Sequence, residues 1–134
     1  MRSHVASIEI AADPADTFAF VADLAKLPTW AIGFAKAIDR DEQGWLVTTG
    51  GGDRVRIAVD TDRDHGVVDY VMCPAPGVEL PANTRVVPLD GGSLYTFVMQ
   101  QAPGMPDDVF DRQVRELERE LTVLKAHLET SCPL

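Results

Sequence analysis

The chain is short of positive charge. Of its 134 residues only 12 are Lys or Arg, against 21 Asp or Glu, which gives a net charge of −9 with histidine neutral. Such a field repels nucleic-acid phosphates and anionic lipid head groups, and no local cluster of Lys and Arg offsets it. Nucleic acid is therefore not an expected partner. Cysteine is scarce too: Cys73 and Cys132 are too few for a disulfide framework. Cys73, in an apolar run, reads as a small buried hydrophobe, and Cys132 as a stray terminal thiol. The three histidines, His4, His65 and His127, stand apart from any Cys or carboxylate spacing that metals use, so neither a metal nor a cofactor is expected. There is no Gly-x-Ser-x-Gly elbow for a serine nucleophile. Gly50-Gly51-Gly52-Asp53 is not followed by the Gly-Lys-Ser/Thr of a phosphate loop and reads as a hairpin turn. No stretch approaches the roughly 18 apolar residues of a membrane span, and Met1–Ile10 lacks the apolar core of a signal peptide. These absences predict a cytoplasmic protein that does not insert in membranes.

What is present is the composition of an ordinary globule, 46% hydrophobic and 25% charged. The length suits one domain over residues 1–134, large enough to bury roughly 68% of its unfolded surface without a disulfide or metal staple. Along the chain, Ala6, Ile8, Ile10 and Ala12 alternate with Val5, Ser7, Glu9 and Ala11, which predicts a half-buried strand from His4 to Ala12. Asp13-Pro14 then caps and opens a short amphipathic helix through Asp23. Pro28 and Gly33 break the next segment into a second helical turn and a bend. Strands are predicted at 35–40, 45–49, 54–62, 67–73, 84–89 and 93–101. Residues 74–83, with Pro74, Pro76, Gly77 and Pro81, are predicted to form a loop or a broken edge. Phe110, Val114, Leu117, Leu121, Leu124 and Leu128 step by four and three in turn, one apolar stripe on a helix that opens after Pro106. Packing across the sheet and a coiled-coil seam both fit that spacing, and the β-rich context favours the former.

Strand, two short helices, six strands and a long terminal helix is an order that resembles a known superfamily. So do local words: Ile8-Glu9-Ile10, then Asp13-Pro14 through Phe18-Ala19-Phe20-Val21-Ala22-Asp23, Leu27-Pro28-Thr29-Trp30, and later Pro88-Leu89-Asp90-Gly91-Gly92-Ser93-Leu94-Tyr95-Thr96-Phe97. Together they are similar to the START and birch-pollen-allergen superfamily, SRPBCC, in its polyketide cyclase/dehydrase-like branch. The resemblance implies an α+β helix-grip fold: a curved antiparallel sheet of about seven strands wrapped on a long C-terminal helix. It also implies an elongated cavity between them. Members hold lipids, sterols, polyketides or other apolar molecules there, and some cyclise or dehydrate them.

On that fold the expected ligand-binding residues are Trp30 and Phe34 after the helix pair, and Ile57, Val59, Val68, Tyr70 and Met72 on the strands. Tyr95, Phe97 and Met99 follow, with Val114, Leu117 and Leu121 from the helix. Each could equally be ordinary core. The parity of 93–101 is open, because Leu94, Thr96 and Val98 form a rival face of nearly equal hydrophobicity. Tyr70, Asp69 and His65 are the candidate acid/base groups. Asp69 is expected on the wet face, because Val68, Tyr70 and Met72 form the apolar one. Three functions stay open: a binding protein for a lipid, quinone, sterol or polyketide-like molecule; a cyclase/dehydratase-type enzyme; and a protein-interaction module, a homodimer among its forms, whose cavity is filled by its own side chains.

Overall fold

The computed structural model of the chain describes residues 2–130, and Cys132 lies outside the described residues. The elements are β1 (Ser3–Ile10), α1 (Pro14–Ala22), a 3₁₀ turn (Leu24–Lys26), α2 (Leu27–Trp30), β2 (Ala35–Asp41), β3 (Gly44–Thr49) and β4 (Arg54–Asp62). A 3₁₀ turn at Arg63–His65 leads to β5 (Val67–Ala75), β6 (Val78–Leu89), β7 (Gly92–Gln100) and α3 (Asp107–Thr130). The seven strands form one antiparallel sheet in the order β1-β7-β6-β5-β4-β3-β2. Only β1 leaves sequence order, and its pairing with β7 joins the first strand to the last. This is the helix-grip arrangement.

Local chemistry sets the element ends. Asp13 accepts a hydrogen bond from the Ala15 N–H at 2.8 Å and Pro14 occupies the first helical position, so α1 starts there. Asp23 repeats the device for the following 3₁₀ turn, accepting from Ala25 N–H at 3.1 Å. Gly66 ends the second 3₁₀ turn at φ +66°, where a Cβ would stand 2.1 Å from the Val86 carbonyl oxygen, so only glycine fits.

The apolar faces close on one another. Leu117, Leu121 and Leu124 of α3 join Ala6 and Ile10 of β1, Val21 of α1 and Val68, Val86 and Tyr95 of the central strands in one buried cluster. At roughly 1.5–3 kcal/mol for each large apolar side chain fully buried, this cluster is the main source of stability. Polar contacts then fix α3 along β1. The Ala11 N–H donates to Glu129 at 2.8 Å, Lys125 Nζ to the Glu9 carbonyl at 2.8 Å, and Arg2 to Asp111 at 2.8 Å. The stripe is thus committed to the sheet rather than to a coiled coil.

Of the two expectations for residues 74–83, the structure corrects the loop: the segment is a hairpin broken by a register shift, and its β6 part is paired on one side only. β5 runs on to Ala75 and β6 starts at Val78, with a register shift between Met72 and Ala75. Proline is tolerated because pairing of β6 with β7 begins only at Asn83↔Val98, so Pro81 stands where β6 has β5 as its ladder partner and no other.

Candidate ligand chamber

The concave face of the sheet is only partly filled. A cavity of about 460 Å³ remains between β4–β7, the α2–β2 linker and α3. Its wall includes Trp30 and Phe34 from the helix-pair segment, Ile57, Tyr70, Met72, Phe97 and Met99 from the strands, and Leu117 from α3, all expected there. Exposed residues Gly50, Gly51 and Asp53 of the β3–β4 turn and Arg112 of α3 also reach it, which marks the side on which it opens to solvent.

Strand parity decides which side chains can reach the chamber. Tyr95 is fully buried, and Phe97 and Met99 share its face, so the rival face of Leu94, Thr96 and Val98 points away. Five expected residues are not on the wall. Val68 and Tyr95 are fully buried at the filled end of the concave face, and Val59 stands at that end of β4, paired with Tyr70. An aromatic cluster separates the two ends. Tyr95 meets Trp30 edge-on at 6.2 Å and Phe97 edge-on at 6.4 Å between ring centroids, while Phe97 stacks on Tyr70 at 6.4 Å. Val114 and Leu121 are the other two. On α3 the chamber is met by Gln113, Glu116, Leu117 and Glu120, a helical face that flanks the apolar stripe rather than coinciding with it.

The three candidate acid/base groups are not brought together. Tyr70 is buried in the wall, but its hydroxyl donates to the Val21 carbonyl and ties β5 to α1. Burial pushes its phenol well above the ordinary tyrosine value, so it keeps its proton. Asp69 lies on the opposite face, 2.7 Å from Arg85 and off the chamber wall. Partial burial works against its ionisation, but hydrogen bonds from Arg85 and Asn83 outweigh that and hold the carboxyl below the usual aspartate value. His65 is exposed in the turn after β4, with Nδ1 2.8 Å from Asp62. Neither Asp69 nor His65 can reach a molecule in the chamber.

A buried carboxyl that does reach it was not singled out by the sequence. Glu120 is only 6% exposed and lies on the chamber wall. Its Oε2 accepts the N–H of Gly33 at 2.9 Å and of Phe34 at 3.0 Å, which holds the α2–β2 linker against α3. Burial raises its carboxyl to about 7, and the nearby Glu116 adds to the rise; the two N–H groups and Arg119 pull the other way without cancelling it. Its spacing carried a signal: Glu120 is three residues after Leu117 and four before Leu124, beside the buried stripe. Gly33 permits the contact, since a Cβ there would meet Glu116 at 3.2 Å.

A curved antiparallel sheet that grips a long helix around a partly open apolar chamber defines a ligand-chamber fold. The sequence matches the family model described as polyketide cyclase / dehydrase and lipid transport over residues 1–129. The chain belongs to that family. Among solved structures it is similar to XoxI from Bacillus cereus, at 14% identity over 96% of each chain and a TM-score of 0.75. A START superfamily protein from Mycobacterium smegmatis matches at 14% identity, over 97% of this chain and 99% of the other, with a TM-score of 0.64. The Zhui aromatase/cyclase from Streptomyces sp. R1128 matches at 15% identity, over 95% and 90% of the two chains, with a TM-score of 0.65. At these identities the likeness is one of fold. No curated protein matches the sequence. No described helix is long and apolar enough to cross a membrane.

Proposed function

We propose that the chain binds a small apolar molecule, of the lipid, quinone, sterol or polyketide kind, in the chamber between sheet and helix. The observation that carries this reading is the unfilled volume of about 460 Å³, walled largely by Ile57, Met72, Phe97, Met99 and Leu117. Ligand pockets span roughly 300–1,000 Å³, whereas interiors that serve only stability close to crystal-like density. An open chamber of this size weighs against the interaction-module reading, which needs it filled by the chain's own side chains. A second reading, a cyclase- or dehydratase-type enzyme, draws on Glu120. A carboxyl with a value of about 7 inside an apolar chamber is suited to donate or accept a proton near neutral pH.

A thermal-unfolding screen against fatty alcohols, fatty acids, quinones, sterols and aromatic polyketides tests the binding reading. A ligand at 100 times its Kd adds about 2.7 kcal/mol, which raises the midpoint by on the order of 10 °C for a domain of this size. If no apolar compound moves the midpoint, and native mass spectrometry finds nothing bound to the purified protein, the proposal fails. Turnover of a stabilising compound that is lost in Glu120→Gln would establish the enzymatic reading.

A further inference from the structure

Glu120 also bears on which apolar molecule the chamber takes. The hydrogen bonds from Gly33 and Phe34 both go to one oxygen, Oε2. Among the described residues the other oxygen, Oε1, has no protein partner, and it is not one of the sealed, unpaired polar atoms of the interior, which are Trp30 Nε1 and Tyr95 Oη. Open space therefore reaches Oε1, on a residue of the chamber wall. The remaining charged groups of that wall are Glu116 and Asp53, against Arg112 alone. The wall is acidic. Of the elements packed around Glu120, α2 has no ionisable side chain, Lys36 and Arg40 of β2 are exposed, and so is the neighbouring Arg119 of α3, so none of these cations is turned inward to meet it.

Resting on the binding reading above, we infer that the chamber selects ligands whose apolar body carries an uncharged hydrogen-bond donor, a hydroxyl, which binds Oε1 of Glu120. The carboxylate gives such a ligand a fixed acceptor: its orientation is held by two backbone N–H groups, so little freedom is lost when a third hydrogen bond forms. A hydrogen bond to a charged acceptor is stronger than a neutral one, and a buried carboxylate edge left without one is costly. An acceptor-only head leaves that edge unpaired. An anionic head meets like charge from Glu120, Glu116 and Asp53. Fatty alcohols, sterols and phenols are thus favoured over their ketone, ether and carboxylate counterparts.

The test compares two isomers, one with a hydroxyl donor and one without, and an anionic head on a chain of the same carbon number. Binding of 1-decanol, methyl nonyl ether and decanoate is measured by displacement of a fluorescent apolar probe at pH 8.5, for the parent protein and for Glu120→Gln. In the variant the amide oxygen must accept the Gly33 and Phe34 N–H groups, which turns the NH₂ toward the chamber as a donor. The parent should bind 1-decanol about tenfold or more tightly than the ether, with decanoate weaker still. Glu120→Gln, checked for its native fold by near-UV circular dichroism, should lose the preference for the alcohol over the ether and gain affinity for decanoate. Equal affinity of the parent for alcohol and ether overturns the inference while leaving the chamber reading intact. A preference for the alcohol that persists unchanged in Glu120→Gln overturns it as well, because the selecting group is then elsewhere. If none of the three displaces the probe, the inference fails, and the binding reading is decided separately by the thermal screen above.

Discussion

Glu120→Gln should gain about 3 kcal/mol of stability relative to the parent as the pH rises from about 4.5 to 8. The parent's carboxyl stands at about 7 in the folded state, against 4.5 as the ordinary glutamate value. Between those two values the folded chain holds a proton that the unfolded chain has released, so unfolding releases it and each further pH unit destabilises the fold by about 1.4 kcal/mol. The stability attached to the raised value is fully present below about 4.5 and is lost as pH rises through about 7. Gln cannot ionise, yet its amide oxygen keeps the hydrogen bonds from Gly33 and Phe34. Other carboxyls have the opposite shift: Asp41, hydrogen-bonded to Arg56, is held at about 2, and Glu129 is lowered by the Ala11 N–H and Lys125. Those groups are common to both proteins and cancel in the difference. Urea unfolding of the pair at pH 5, 6, 7 and 8 reads it out. A difference that stays constant across the series contradicts a buried, proton-holding Glu120.

Ala82→Phe should abolish ligand binding while leaving the protein folded. Ala82 is 4% exposed, lies on the chamber wall, and is paired with Tyr70 across the β5–β6 ladder. It contributes a single methyl group where its neighbours are aromatic or long aliphatic side chains, and the missing volume is part of the chamber. A phenyl ring from this position projects from the concave face into unfilled space, so it displaces a ligand without displacing other side chains. Phe suits a strand and brings no polar atom that would need a partner. The expected cost in stability is on the order of 1 kcal/mol, the low end of the range for small-to-large changes, because the added ring enters the chamber. Retained affinity in a folded Ala82→Phe protein would place the ligand elsewhere.

Period and order carried most of the architecture. The stripe from Phe110 to Leu128 repeats often enough that only a helix satisfies it, and Asp13-Pro14 marks a helix start by capping chemistry alone. The parity of β7 was harder to read because its outer face is also apolar. Leu94 and Val98 are half-buried there, close to the exposed Val5 and Val87 with which the ladders associate them, so alternation is weak. The β5–β6 hairpin was hidden by Pro74 and Pro81, whose tolerance depends on where the pairing with β7 stops. That is a property of the whole sheet.

The chamber itself was legible as a consequence of the fold, and its lining only in part. Sequence pattern separates buried from exposed positions, but it does not distinguish a residue facing packed core from one facing a void. Val68 and Phe97 sit on the same concave surface, one at the filled end and one on the wall. On α3 the apolar stripe was the natural choice for the lining. The sheet takes that stripe, and the chamber meets the flank that includes Gln113, Glu116 and Glu120. A glutamate in a helix whose exposed face is rich in Glu and Arg gives no compositional sign of burial. Its position between Leu117 and Leu124 was the available clue.

The most direct measurement of the central claim is a heteronuclear NMR titration of the labelled protein with 1-decanol. Saturable shifts should centre on the amides of Gly33, Phe34, Ala82, Phe97 and Leu117, all of them wall residues. Asp69, Arg85 and His65, which lie off that wall, should change little. Shifts confined to the outer face of the sheet, or none at ligand saturation of a control lipid-binding protein, would contradict it.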